Sequence, residues 1–153
     1  MRVMSGETQL WRSNMELLFD TNILLDILLR REPFYSESAE TLNMVEQGCY
    51  EGFIPATSLK DIYYIVRRTT GSREKAYQAI KMVLSVLKPC GISESDVETV
   101  MTYHDKSMDF EDNLIEACAV RRSFDYVLTR NGRDYGFLDV KTIAPAELIE
   151  LFP

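Results

Sequence analysis

The chain has 153 residues, 46% of them apolar, which is enough for one domain with a sizeable core and too little for two. Lys and Arg number 17 against 24 Asp and Glu, and the resulting net charge of -7 argues against a protein that grips nucleic acid by bulk attraction. Three scattered cysteines, Cys49, Cys90 and Cys118, lack CxxC spacing, which argues against a disulfide framework or a zinc site and fits a reducing cytoplasm.

Residues 1–14, MRVMSGETQLWRSN, lack the apolar stretch of a secretory signal; they are set aside as a tail, Trp11 included, and a single domain is expected over 15–153. Glu16 to Phe19 predicts a short buried strand, followed by Asp20-Thr21-Asn22 as turn and cap, then a helix from about Ile23 to Arg30. The run ILLDILL within it is too short to cross a membrane. Tyr35 to Gln47 predicts a second helix, with Gly48 as its stop. Gly52 to Pro55 predicts a strand, and Ser58-Leu59-Lys60-Asp61 has the pattern of a capping box opening a helix through Arg68. Arg73 to Leu87 carries helical apolar spacing and stops before Pro89. Beyond it come a short strand near Cys90 to Ile92, helices over Ser95 to His104 and Asp109 to Arg122, strands at Tyr126 to Leu128 and Val140 to Ile143, and a closing helix from Pro145 to Phe152. Strands alternating with helices imply an α/β fold whose parallel sheet is covered on both faces.

The reactive residue types are few. The one histidine, His104, sits near a predicted helix end, so no nucleophile–histidine machinery and no His-rich metal site is indicated. Carboxylates remain. In open parallel sheets ligands bind beyond the carboxyl ends of the strands, where strand order reverses. Asp20 falls at such an end, Asp61 opens the helix after the second strand, Asp109 and Asp112 open the helix before the strand at Tyr126, and Asn131 and Asp134 follow that strand. Acids gathered there repel one another unless a divalent cation joins them, and oxygen-only ligands favour Mg²⁺ or Mn²⁺. Such an ion supports phosphodiester hydrolysis.

Each acid also has a plainer role. Asp61 can be the acid of the Ser58 capping box, Asp109 and Asp112 an N-cap and its partner, and Asp20 a cap. Asp26 stands four residues before Arg30 and predicts a surface ion pair; Glu111 and Glu116 read as solvated or supporting groups. Two basic clusters, Arg67, Arg68, Arg73, Lys75 and Arg121, Arg122, Arg130, Arg133, are open both to local polyanion binding and to solvated helix ends.

Four segments, LLFDTNILLDILL, SLKDIYYIVRR, MDFEDNLIEACA and YVLTRNGRDYGFLDVKTIAPAELI, together resemble the PIN domain, a nuclease fold of bacterial toxin–antitoxin modules and RNA-processing proteins, over about Glu16 to Phe152. The resemblance implies a three-layer α/β/α sandwich with a mainly parallel sheet, an endoribonuclease acting on single-stranded or looped RNA, a Mg²⁺ or Mn²⁺ site, a cognate antitoxin partner and a homodimer. It makes Asp20, Asp112, Asp109, Asn131 and Asp134 metal ligands and places Asp20, Asp61, Asp109 and Asp112 in catalysis. Asn22 and Thr129 would orient carboxylates, and Arg130 would contact an RNA phosphate. The second segment carries Asp61 where many relatives have glutamate, and Asn131 lowers the negative charge of the last motif. The alternatives are a catalytically silent binding module or, more distantly, a phosphatase of the haloacid dehalogenase kind, for which Asn22 stands where a second acid is normally required.

Overall fold

The computed structural model describes residues 14–103 and 109–151; the predicted roles of the 1–14 tail (residue 14 apart), of His104 and of the helix end at Phe152 lie outside them. In chain order the elements are β1 (Glu16–Phe19), α1 (Thr21–Leu28), α2 (Tyr35–Glu46), β2 (Glu51–Pro55), α3 (Ala56–Thr70), α4 (Arg73–Val86), β3 (Lys88–Cys90), α5 (Glu94–Tyr103), α6 (Phe110–Arg122), β4 (Tyr126–Leu128), a 3₁₀ turn (Gly132–Asp134), β5 (Thr142–Ile143) and α7 (Pro145–Leu151). The strands form one sheet in the order β3-β2-β1-β4-β5, every pairing parallel. After β1 the chain builds outward through β2 to β3, then returns to place β4 on the other side of β1. The switch point therefore lies between the carboxyl ends of β1 and β4.

The three central strands carry apolar runs, Leu17–Phe19, Phe53–Pro55 and Val127–Leu128, because both faces of the sheet are covered there. Side chains alternate along a strand, so Leu17 and Phe19 enter one core while Leu18 enters the other. Ile54 and Leu128 share the first core, and Phe53 and Val127 the second. The first core is closed by α1, α2, α3, α4 and α7, and the second by α6 through Ile115, Cys118 and Ala119. This is the α/β/α sandwich, with a sheet that is wholly parallel. Gly52 serves close packing in β2: a Cβ there would lie 2.4 Å from Leu87 Cδ2. Among the described residues no helix is long and apolar enough to cross a membrane.

Three local expectations fail. The helix after β2 begins at Ala56, directly behind Pro55, and no side chain caps it. Ser58 is instead a buried residue inside that helix, and its Oγ accepts the Thr21 hydroxyl at 2.7 Å, tying the start of α3 to the start of α1. Asp61 is therefore not the acid of a capping box. The strand predicted around Cys90–Ile92 forms earlier, at Lys88–Cys90, and β5 is confined to Thr142–Ile143.

Candidate active site

Asp20 follows β1 directly and occupies the N-cap position of α1, where its side chain makes no capping bond. It is 8% exposed, and its Oδ2 accepts the Thr129 hydroxyl at 2.8 Å. Thr129 follows β4, so this one bond spans the switch point. The same hydroxyl oxygen accepts the Asn131 backbone N–H at 3.0 Å, which holds the start of the loop after β4 against the site. Asn22 faces Asp20 with its backbone amide.

Asp112 lies in the first turn of α6, whose N-cap is Asp109. Asp109 Oδ1 accepts the backbone N–H groups of Glu111 and Asp112 at 2.9 and 3.3 Å, so the capping role open to it in the sequence is realised. Asp134 closes the 3₁₀ turn beside a surface concavity of about 600 Å³ lined by Arg130, Asn131, Gly132, Arg133 and Asp134. Gly132 is needed there, since a Cβ would meet Thr142 Oγ1 at 2.8 Å.

These acids sense one another. Burial pushes the Asp112 carboxyl up to about 6, and the charges of Asp109, Asp20, Asp134 and Glu116 add to the rise. Asp20 is raised by burial and by Asp134, against the Thr129 hydroxyl and the Asn22 and Thr21 amides. A second acidic pair adjoins the first. Desolvation, with a hydrogen bond to Asp61 and repulsion from it, pushes Glu111 up to about 7, and nearby Lys60 only partly offsets this. Glu111, which reads from sequence as a solvated or supporting group, is thus Asp61's partner.

Tyr135 was not foreseen. Its ring is buried, its hydroxyl lies beside Asp20 and Asp112 but at no hydrogen-bonding geometry, and its ionisation is strongly suppressed by burial and by these carboxylates. Only its place after the TRNGRD motif hints at the site. Glu116, another residue read as solvated or supporting, is 0% exposed. Its carboxylate accepts the backbone N–H groups of Phe137 and Leu138 and so clamps the loop that carries Asp134 and Tyr135. Glu116→Ala would leave two amides without their acceptor, at a cost of about 1–3 kcal/mol. Limited proteolysis should then cut within residues 132–139 faster than in wild type; an unchanged rate would rule out the clamp.

One expectation about charge is corrected. Asp26 is no surface partner of Arg30: it is 0% exposed, and Arg130 Nε and Nη2 reach its two oxygens at 2.7 and 3.1 Å. The Arg130 guanidinium also stacks 3.7 Å from the Phe34 ring centroid. Arg130, which the resemblance makes a phosphate contact, is thus held in a bidentate pair while it lines the concavity beside Asp134. The basic cluster it belonged to is dispersed, because Arg121 pairs with Asp96 at 2.9 Å and Arg122 lies over the Phe53 and Phe124 rings.

All candidate donors are oxygens, and Arg130 and Lys60 are engaged with Asp26 and Asp61, while Arg133 lines the concavity beside Asp134. The orphaned Tyr135 hydroxyl and the mutual repulsion of the acids therefore fit a hard divalent cation with its own waters. The five expected ligands do not form a finished shell: among the described residues no three Asp, Glu, His or Cys side chains stand together as a ready cage. Magnesium commonly uses one or two carboxylates and keeps several waters, so this arrangement suits it.

The family model described as PIN domain matches residues 16–133. The chain belongs to the PIN-domain family. No curated protein matches by sequence. Among solved structures, this PIN domain is similar to VapBC2 from Rickettsia felis bound to a promoter DNA fragment, at 16% identity and TM-score 0.66, covering 85% of this chain and 98% of that one. It is also similar to a toxin-antitoxin complex from Klebsiella pneumoniae, at 21% identity and TM-score 0.59, with 84% and 97% covered. A third likeness is to VapC20 from Mycobacterium tuberculosis, described as a sarcin-ricin loop cleaving toxin, at 14% identity and TM-score 0.62, with 81% and 98% covered. At these identities the likenesses show the fold of the PIN domain.

Proposed function

We propose that this PIN domain is a divalent-metal-dependent endoribonuclease acting on single-stranded or looped RNA, as the toxin of a toxin–antitoxin pair. The observation that carries the reading is the pair Asp20 and Asp112 at the switch point, both carboxyl groups raised by burial and by neighbouring acids that include Asp134. The fold shared with VapC20, a loop-cleaving toxin, and with the Klebsiella complex supports the substrate class and the antitoxin partner.

In this reading Asp20 and Asp112 would hold the ion, with Asp109, Asn131 and Asp134 as the further oxygen donors beside them. The chemistry such an ion would supply there is a lowered pKa for a bound water and compensation of charge on the phosphate. Thr129 keeps Asp20 in one orientation through the 2.8 Å bond, and Glu116 holds the loop that carries Asp134 and the buried Tyr135 through the Phe137 and Leu138 amides. The Asp61–Glu111 pair, with Glu111 poised near 7, accepts the proton released by the attacking water at a Glu111 oxygen.

Cleavage of a labelled single-stranded RNA should require Mn²⁺ or Mg²⁺ and stop with EDTA. Independently of activity, millimolar Mn²⁺ should raise the melting temperature, since a ligand at 100 times its Kd adds about 2.7 kcal/mol to the folded state. A chain that neither cleaves nor gains stability with metal would be the silent binding module instead.

A further inference from the structure

Among the described residues the basic cluster on α3 and α4 has no acidic partners. Among the described residues no ion pair engages Arg67 or Arg68, although acids outnumber bases in the chain. The two arginines and Tyr64 line a surface concavity of about 270 Å³ that contains no carboxylate. Tyr64 is 54% exposed and Tyr77, across the helix pair, 61%. Both rings meet Tyr63 edge-on, at centroid distances of 5.4 and 5.2 Å, so they are braced in place rather than loose on the surface. Leaving two large aromatic faces in water costs apolar burial, which a stacking partner would recover.

The position of the concavity on α3 gives it a direction. Asp61, Tyr64 and Arg68 follow one another at spacings of three and four and share a face of the helix. Asp61 meets Glu111 at the acidic cleft, and Arg68 lies about 10 Å further along the axis. A strand leaving the cleft along this face meets first an aromatic ring and then two guanidiniums, the combination that binds single-stranded nucleic acid through base stacking and phosphate contacts.

We propose that Tyr64, Arg67 and Arg68 form the track on which the single-stranded RNA flanking the cleavage site lies, with a base stacked on Tyr64 and phosphates on the two arginines. This rests on the nuclease reading above. A second copy of the chain is a poorer occupant, because a two-fold interface would bring the same carboxylate-free surface against itself and supply no countercharge. An RNA backbone supplies it.

The test is fluorescence anisotropy with a short 5′-labelled single-stranded RNA in EDTA, so that binding is read without cleavage. Tyr64→Ala should weaken binding roughly five- to a hundredfold, and Tyr64→Phe should retain it. Arg67→Ala/Arg68→Ala should lower the slope of log K against log salt by about 1.4, the value for two phosphates of a single strand. Circular dichroism melts of each variant establish that it is folded. Wild-type affinity and slope in the folded variants would overturn the track. So would variants that merely dissociate a wild-type dimer in sedimentation while binding RNA normally. If the wild type binds and the variants lose binding, but no RNA is cut with Mn²⁺, the track stands and the nuclease reading falls.

Discussion

Asp112→Asn is expected to reduce Mn²⁺-dependent RNA cleavage by on the order of 10²–10³-fold or more, while making the metal-free chain more stable at neutral pH. The two effects share one cause. The folded chain pushes the Asp112 carboxyl from 3.8 up to about 6, by burial first and then by the neighbouring acids, so its ionised form is disfavoured in the site that would use it. Because the folded value lies above the unfolded one, this contribution to stability is complete below 3.8 and is lost as pH rises through about 6. Metal-free wild type should therefore melt at progressively lower temperature from pH 4 to pH 7 with respect to this group, and the variant should show a flatter profile. Metal reverses the ordering, since the ion competes with protons for the same oxygens. Mn²⁺ should raise the wild-type melting temperature more at pH 7 than at pH 5, and should do little for Asp112→Asn. Thermal melts with EDTA or Mn²⁺ at the two pH values make the comparison. Full activity in Asp112→Asn would sink the metal-ligand assignment, and an equal Mn²⁺ stabilisation of both chains would place the ion elsewhere.

Arg130→Ala is expected to destabilise the fold by about 3–5 kcal/mol, the usual consequence of leaving a buried charge without its partner. Asp26 is 0% exposed, and among the described residues the other side chain that bonds its carboxylate is the Ser38 hydroxyl at 3.3 Å. Arg130→Lys should recover only part of the loss, because an ammonium cannot reproduce the two-pronged contact. Asp26→Asn/Arg130→Gln should be milder than Arg130→Ala, since neither charge then remains buried. Denaturant unfolding measures all three. A phosphate contact, the role the PIN resemblance suggests for Arg130, would instead leave unfolding unchanged and raise KM alone. The pair joins α1 to the residue after Thr129, so its loss should also loosen the Asp20–Thr129 contact and lower activity indirectly.

The order of elements, and the position of Asp20 at the carboxyl end of a strand, were legible in the sequence. Near-continuous apolar runs such as Leu17–Phe19 have one stable home, a sheet covered on both faces, and strands separated by helices in a short chain make that sheet parallel. Once that is fixed, Asp20 must emerge at a carboxyl end, beside the segments that carry Asp112 and Asp134. What sequence spacing could not reveal is which charge meets which. Asp26 looked paired with Arg30 because four residues make one helical turn, yet it pairs with Arg130 across 104 positions. Ser58 and Asp61 looked like a capping box, but tertiary packing gave Ser58 to Thr21 and Asp61 to Glu111. Local pattern reports only neighbours along the chain, whereas desolvation and long-range pairing depend on which surfaces the core brings together. That is why the buried Glu116 clamp, the stranded Tyr135 hydroxyl and the unpaired arginines on α3 became visible only in the folded molecule.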